Sequence, residues 1–311
     1  MITSIFGKTK PINYIIVVTF LFLLYWLVHF LLFKKAYPPE ELLWQTLVLS
    51  TLFFSIFLVD FIVKRNKITL ANSYTILFFA LLMVVFPETL SDNKAILSNT
   101  FILLSIRRII SMRTLKGIKM KIFDASLWIL FASLFYDWAL LFLLVVFIAI
   151  YIYDPKSFRN WLVPFAAFFA VLLLSSGFLV LTSNLDFFLT HYHFTVMFDP
   201  SDYLNWASSG RLIIYVLVLF ILGVLAFINL GNSGVGKIVT TRLVVFFLII
   251  GLVINVLVSS EEQYPILLTF FPGAVFMTNY VESIKREKIK EIVLLGSILI
   301  PVIVFLSVMI L

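Results

Sequence analysis

The sequence predicts an all-α, polytopic membrane protein of about eleven transmembrane helices, and three observations carry that prediction. Of its 311 residues, 62% are hydrophobic and only 13% charged, against roughly 45–50% and about 25% in soluble domains, which must keep a hydrated surface. Mean hydropathy is +1.12, and the apolar residues gather into runs near the length that crosses a bilayer. Lysine and arginine, lastly, sort to alternate loops.

The first run, Ile12 to Phe33, reaches about 33 Å as a helix, enough for a hydrocarbon core. Lys34 and Lys35 stand where a signal peptide needs small residues for cleavage, so the run reads as an uncleaved first span. After it come Leu42–Val63, Ile68–Phe86, Ala95–Ile110, Ile122–Tyr136, Trp138–Tyr153, Trp161–Leu181, Arg211–Leu230, Val239–Val258, Pro265–Val281 and Glu291–Leu311.

The stretch 122–153 would be about 48 Å long as one helix, too long for an untilted crossing. Read as a hairpin of two short helices turning at Tyr136-Asp137-Trp138, it puts nineteen of the 23 lysines and arginines on one side. Only Lys34, Lys35, Lys94 and Arg211 fall on the other. A single crossing would move the Lys285–Lys290 cluster to the wrong face, so the hairpin is expected, with the N-terminus cytoplasmic and the C-terminus outside. The acids are distributed in the opposite sense. Glu40, Glu41, Glu88, Asp92, Asp137, Asp186, Asp199, Asp202, Glu261 and Glu262 all fall outside.

Residues 1–311 read as a single integral membrane domain. The longest external loop, 182–210, is too short to bury a core of its own. The absence of cysteine excludes disulfides, thiolate metal sites and a cysteine nucleophile. A pI near 9.5 would suggest nucleic acid in a soluble protein, but here the cations follow topology and anionic lipid, so membrane lipids are the expected partner. Gly231-Asn232-Ser233-Gly234-Val235-Gly236-Lys237 spells G-x-x-x-x-G-K, yet Ile238 replaces the magnesium-binding hydroxyl and no strand precedes it, so no nucleotide site is expected. Phe271-Pro272-Gly273 should kink the tenth run. No charge lies at mid-bilayer, where proton-coupled transporters mark their path.

The candidate site residues all lie on the outer side. Glu40 and Glu41 follow Pro38-Pro39 at the start of the second span, where they could serve as a general base or complement a helix N-terminus. Asp137, at the hairpin tip, would be partly desolvated and suited to proton transfer, or would cap the next helix. These three are the catalytic candidates. His191 and His193 sit two apart, a spacing that can hold a divalent metal with Asp199 or Asp202 as a further ligand. The same rings also suit a bilayer interface without any metal. Arg211, Tyr203 and Trp206 are the substrate-binding candidates.

The chain resembles an uncharacterised family of multi-pass inner-membrane proteins of Bacteroidota, on its opening Met1-Ile2-Thr3-Ser4-Ile5-Phe6-Gly7-Lys8-Thr9-Lys10-Pro11 and the order of spans. That resemblance implies a bacterial inner-membrane location and no activity. From Asp124 to Leu173 the chain also looks like the core of membrane glycosyltransferases that use polyprenyl-phosphate sugars, with its Phe135-Tyr136-Asp137-Trp138 turn and Trp161-Leu162-Val163-Pro164. Those enzymes carry acids in the first external loop, which Glu40 and Glu41 match. Three functions follow: a glycosyltransferase-like enzyme acting at the outer face, a non-catalytic membrane subunit of an envelope complex with protein partners, and a transporter or lipid flippase.

Overall fold

The computed structural model describes residues 2–184, 186–194, 196, 206–230, 234–258 and 264–310, with backbone alone at 206–208 and 310. Among these the protein is all-helical, without a strand. In chain order the α-helices are α1 (Ile2–Phe6), α2 (Pro11–Leu27), α3 (Pro39–Arg65), α4 (Tyr74–Val85), α5 (Asn93–Ser111), α6 (Ile118–Ser133), α7 (Leu143–Tyr153), α8 (Phe158–Leu181), α9 (Phe187–His191), α10 (Trp206–Asn229), α11 (Val235–Leu257), α12 (Phe270–Ser283) and α13 (Glu287–Ile310). Each of the eleven apolar runs contains one of them.

Seven helical stretches are long and apolar enough to cross a membrane by themselves: 11–32, 39–65, 93–114, 158–181, 209–229, 235–257 and 287–309. Of the remaining runs, the third and the tenth hold shorter α-helices than expected. In the third, only Tyr74–Val85 is helical, about 18 Å of rise. Ile68 to Ser73 instead approach it as a loop, exposed at Leu70 and Ala71 and buried at both ends, whose Ser73 N–H donates to the Phe6 carbonyl. Every residue of α4 from Tyr74 to Val84 is buried. Surrounded by protein rather than lipid, it needs neither full span length nor a polar face, and non-helical backbone beside it finds partners in the bundle.

The hairpin expected within 122–153 is present. Helix α6 starts earlier, at Ile118, ends at Ser133, and is followed by a turn at Tyr136, a 3-10 stretch Asp137–Phe142 and α7. The tenth run also divides, into a 3-10 turn Pro265–Thr269 and α12. The change comes at Phe270, so Pro272 lies in the first turn of α12, where its missing N–H costs no bond, rather than kinking a helix interior. Beside it, a side chain at Gly273 would meet the Tyr215 hydroxyl at 2.8 Å, so only glycine lets α10 pack this closely. Gly236 and Lys237 lie in the first turn of α11, with no strand before them among the described residues, while residues 231–233 of the G-x-x-x-x-G-K stretch lie outside the description.

Helix ends gather into two groups. At the basic end, Glu291 accepts from the Ile2 N–H at 2.6 Å, Glu282 accepts from the Leu70 N–H at 2.8 Å and Asn72 Nδ2 at 2.5 Å, and Arg108 pairs with Asp124 at 2.9 Å. At the acidic end, the loop after α2, the turns flanking α4 and α6, and the start of α10 are linked by the bonds described next. One continuous core joins the two, with Tyr25, Phe79, Phe142, Phe247, Phe270, Phe271 and Phe276 fully buried in it.

Candidate functional site: the acidic end and a lateral groove

The α2 helix does not stop at Leu27 but widens into a π-helical turn, Val28–Leu32, which carries His29 into the core. Lys34, at φ 48°, closes the turn, and the Lys35 N–H returns to the His29 carbonyl at 3.0 Å. A carbonyl can only accept, so the 2.9 Å contact of His29 Nε2 with the Leu90 carbonyl places the ring proton on Nε2. Nδ1 then accepts from the Tyr37 hydroxyl. Tyr25 stacks on the ring at 4.2 Å between centroids. His29 therefore ties the loop between α2 and α3 to the 3-10 turn Pro87–Leu90, a role its position in the sequence does not reveal. Partial burial and the Glu41 carboxylate push the Tyr37 hydroxyl up to about 12.

The 3-10 turn Pro87–Leu90 also carries Glu88, whose Oε1 accepts from Arg211 Nη2 at 2.6 Å. Arg211 Nη1 reaches the Val85 carbonyl at 3.2 Å, and its guanidinium lies 6.0 Å from the Phe86 ring centroid. Val85 ends α4, where carbonyls lack helical partners, so an arginine from α10 caps α4 and neutralises Glu88 together. Asp92 caps α5 through the Ala95 N–H at 2.9 Å and accepts from the Tyr264 N–H at 3.0 Å, drawing in the loop before α12. The buried Tyr136 hydroxyl feels both Asp92 and Asp137, which brings the hairpin tip to the same end.

Below Arg211 an apolar groove of about 330 Å³ runs between α4, α10 and α13. Phe78, Leu82, Tyr215, Val218, Met277 and Ile300 are among its walls, and Arg211 is its one charged lining residue. Pro301 shapes the far wall. A proline inside α13 supplies no N–H to the Ser297 carbonyl one turn back, and both residues line the groove.

Of the candidate site residues that the structure describes, Arg211 alone lines this groove. Glu40 and Glu41 are exposed in the first turn of α3 behind Pro39, an arrangement that complements the helix N-terminus without further partners. Asp137 accepts from the Trp138 N–H at 2.8 Å at the start of the 3-10 stretch. His191 Nε2 donates to the Ser133 carbonyl at 2.7 Å and stacks on Phe187, while His193 is exposed. Among the described residues no group of three or more His, Asp or Glu is placed to hold a metal. Asp199, Asp202 and Tyr203, and the side chain of Trp206, lie outside the description. Sequence reasoning counted Glu88 only as one more outer acid. The available signal was Pro87-Glu88 directly after an apolar run, opposite the lone outer arginine of the span that begins at Arg211.

Compared with known proteins, the chain matches no family model, no curated sequence and no solved structure.

Proposed function

We propose that this integral membrane protein crosses the bacterial inner membrane eleven times, with its N-terminus in the cytoplasm, and that its acidic outer end receives a lipid-linked substrate from within the bilayer. The observation that carries this reading is the apolar groove that opens between α4, α10 and α13 and ends on Arg211. A hydrocarbon tail fits walls without polar groups, and a guanidinium suits the phosphate that follows the tail. A polyprenyl-phosphate-linked sugar has both parts, in keeping with the glycosyltransferase resemblance of residues 124–173. The inner-membrane location rests on the resemblance to the Bacteroidota family and on the cation distribution.

In this reaction an acceptor hydroxyl attacks the anomeric carbon and gives its proton to a carboxylate among Glu40, Glu41 and Asp137. The bond from that carbon to the phosphate oxygen breaks, and the polyprenyl phosphate leaves with the electron pair, its charge offset by Arg211. Arg211, exchanging Glu88 for the phosphate, is preferred over a divalent cation at His191 and His193, because it lines the groove. Sugar transfer by the reconstituted protein tests this. Val218→Trp, which fills the groove, and Ala at all three acids should each abolish transfer, and retention of activity by the triple variant would remove the reading.

A second reading is a non-catalytic subunit of an envelope complex. In its favour, only 22% of the α8 span and 17% of each of the α10 and α13 spans is buried within the chain, leaving wide apolar faces for partner helices. Copurification of a stable partner supports it, and transfer by the monomer alone excludes it.

A further inference from the structure

At the opposite, basic end, a wide open cavity of about 650 Å³ lies between the start of α2 and the end of α3. Its chemistry is divided in two. Along α3, Phe57 and Phe61 are largely exposed and form an aromatic wall, with Tyr14 of α2 stacked on Phe57 at 5.5 Å. At the rim are Lys64, Arg65 and Lys67, against one acid, Asp60. That acid is already engaged, since its Oδ2 accepts from Lys64 Nζ at 2.6 Å and from the Tyr14 hydroxyl. Lys64 is thus neutralised. Arg65 and Lys67 form no ion pair among the described residues, and the rim keeps two uncompensated cations. Arg107 adds a third positive charge, 4.9 Å from the Phe61 ring.

Lysine at position 67 is itself informative. It takes φ 53° as the residue that closes α3, with the Ile68 N–H returning to the Val63 carbonyl at 3.0 Å. Glycine is the usual occupant of that conformation and asparagine the next. A lysine there holds an ammonium at the cavity rim despite the backbone cost.

We infer that this cavity is a binding site for a phospholipid with an anionic headgroup, its phosphate on Arg65 and Lys67 and its acyl chain along Phe57 and Phe61. The two halves belong to one amphiphile. A free water-soluble anion would satisfy the rim and leave the aromatic wall bare, and a zwitterionic lipid would bring a cation of its own to the basic rim. Helix-end cations of a membrane protein also attract anionic lipid diffusely, through the surface potential. A built site differs in depending on these particular cations rather than on the number of charges at that end. The inference concerns the basic end and stands whether or not the outer face is catalytic.

The test uses the full chain in detergent, titrated with dioleoyl phosphatidylglycerol or dioleoyl phosphatidylcholine, with bound lipid counted by native mass spectrometry. Phosphatidylglycerol should bind selectively. Arg65→Gln with Lys67→Gln should weaken it about 10- to 30-fold, from the attraction expected of two basic residues near an anionic headgroup. Lys285→Gln with Lys288→Gln removes the same charge elsewhere at the same end and should leave binding nearly unchanged. Phe57→Ala with Phe61→Ala should weaken it with the rim intact. Both targeted cations are exposed, so thermal unfolding of the first variant should match the parent. Equal loss from the two charge pairs, equal affinity for both lipids, no effect of the aromatic pair, or displacement of the lipid by millimolar inorganic phosphate would each overturn the assignment.

Discussion

The span at residues 93–114, built on α5, and the span at residues 209–229, within α10, invert the rule of soluble proteins. The first is the less apolar, with mean hydropathy 1.4, and 72% of it is buried; the second has mean hydropathy 2.9, and 17% is buried. Helix α5 brings Ser98, Asn99, Thr100 and Ser105 inside, and the Thr100 hydroxyl bonds Ser55 of α3 at 2.7 Å. Helix α10 turns Ile214, Leu217, Phe220 and Ile221 outward. In lipid, apolar surface gains little from leaving its solvent, so helices associate through close packing of small residues and occasional hydrogen bonds, and the polar helix takes the centre. Among the seven long described stretches the least apolar is thus the most buried, while the shorter, wholly apolar α4 is buried as well.

The largest test of this contrast compares two phenylalanines. Phe270→Ala at the core should destabilise the protein by about 3–5 kcal/mol, and Phe220→Ala on the outer face of α10 by far less, measured as thermal unfolding in detergent. If both variants unfold alike, the inside and outside of the bundle are misassigned. Next, Arg211→Leu leaves Glu88 without its partner and uncaps α4, a loss of about 2 kcal/mol, whereas Glu88→Gln keeps a hydrogen bond to the arginine and should cost less. Similar losses for both would mean that the charge pair is not what holds α10 to α4.

His29→Phe keeps an aromatic ring and deletes both hydrogen bonds, so about 1–3 kcal/mol should be lost, and protease sensitivity should rise at residues 33–41, with α5 unaffected. Smaller still, Thr100→Val removes the bond to Ser55 and should cost about 0.6 kcal/mol, in line with interhelical bonds in membrane proteins.

The smallest effect concerns pH. Tyr37 holds its proton more tightly when folded, its hydroxyl pushed up to about 12 from about 10 for a free tyrosine. Its contribution is therefore complete below about pH 10 and lost as pH rises towards 12. Tyr37→Phe should remove that alkaline decline, and a decline that persists unchanged would assign it to other groups.

Much of the architecture could be read from the residues, because bilayer thickness and charge asymmetry leave a direct mark on sequence. The hairpin at Tyr136 follows from charge parity, and a break is found there. The twelve-residue α4 did not follow, since the run Ile68–Phe86 has the composition of a full span. Its shortness depends on burial by α12, α13 and α3, which hydropathy does not register. The candidate site was legible only in part. Arg211 stood out as an outer arginine, but its groove is walled by α4, α10, α12 and α13, which lie far apart in sequence. Glu40, Glu41 and Asp137 were legible as outer acids, and their roles at helix starts were legible too, from Pro38-Pro39 and the hairpin tip.

Sequence by itself thus determined the membrane class, the approximate number of apolar segments and the separation of basic from acidic loops, because each depends on local composition against a solvent of known thickness. Tertiary structure alone decided which helices are central, that His29 links two loops distant in sequence, that Arg211 neutralises Glu88 and that a groove lies beneath them. Those features arise from contacts between residues tens to more than a hundred positions apart, and no local pattern encodes which distant side chain will fill a given space.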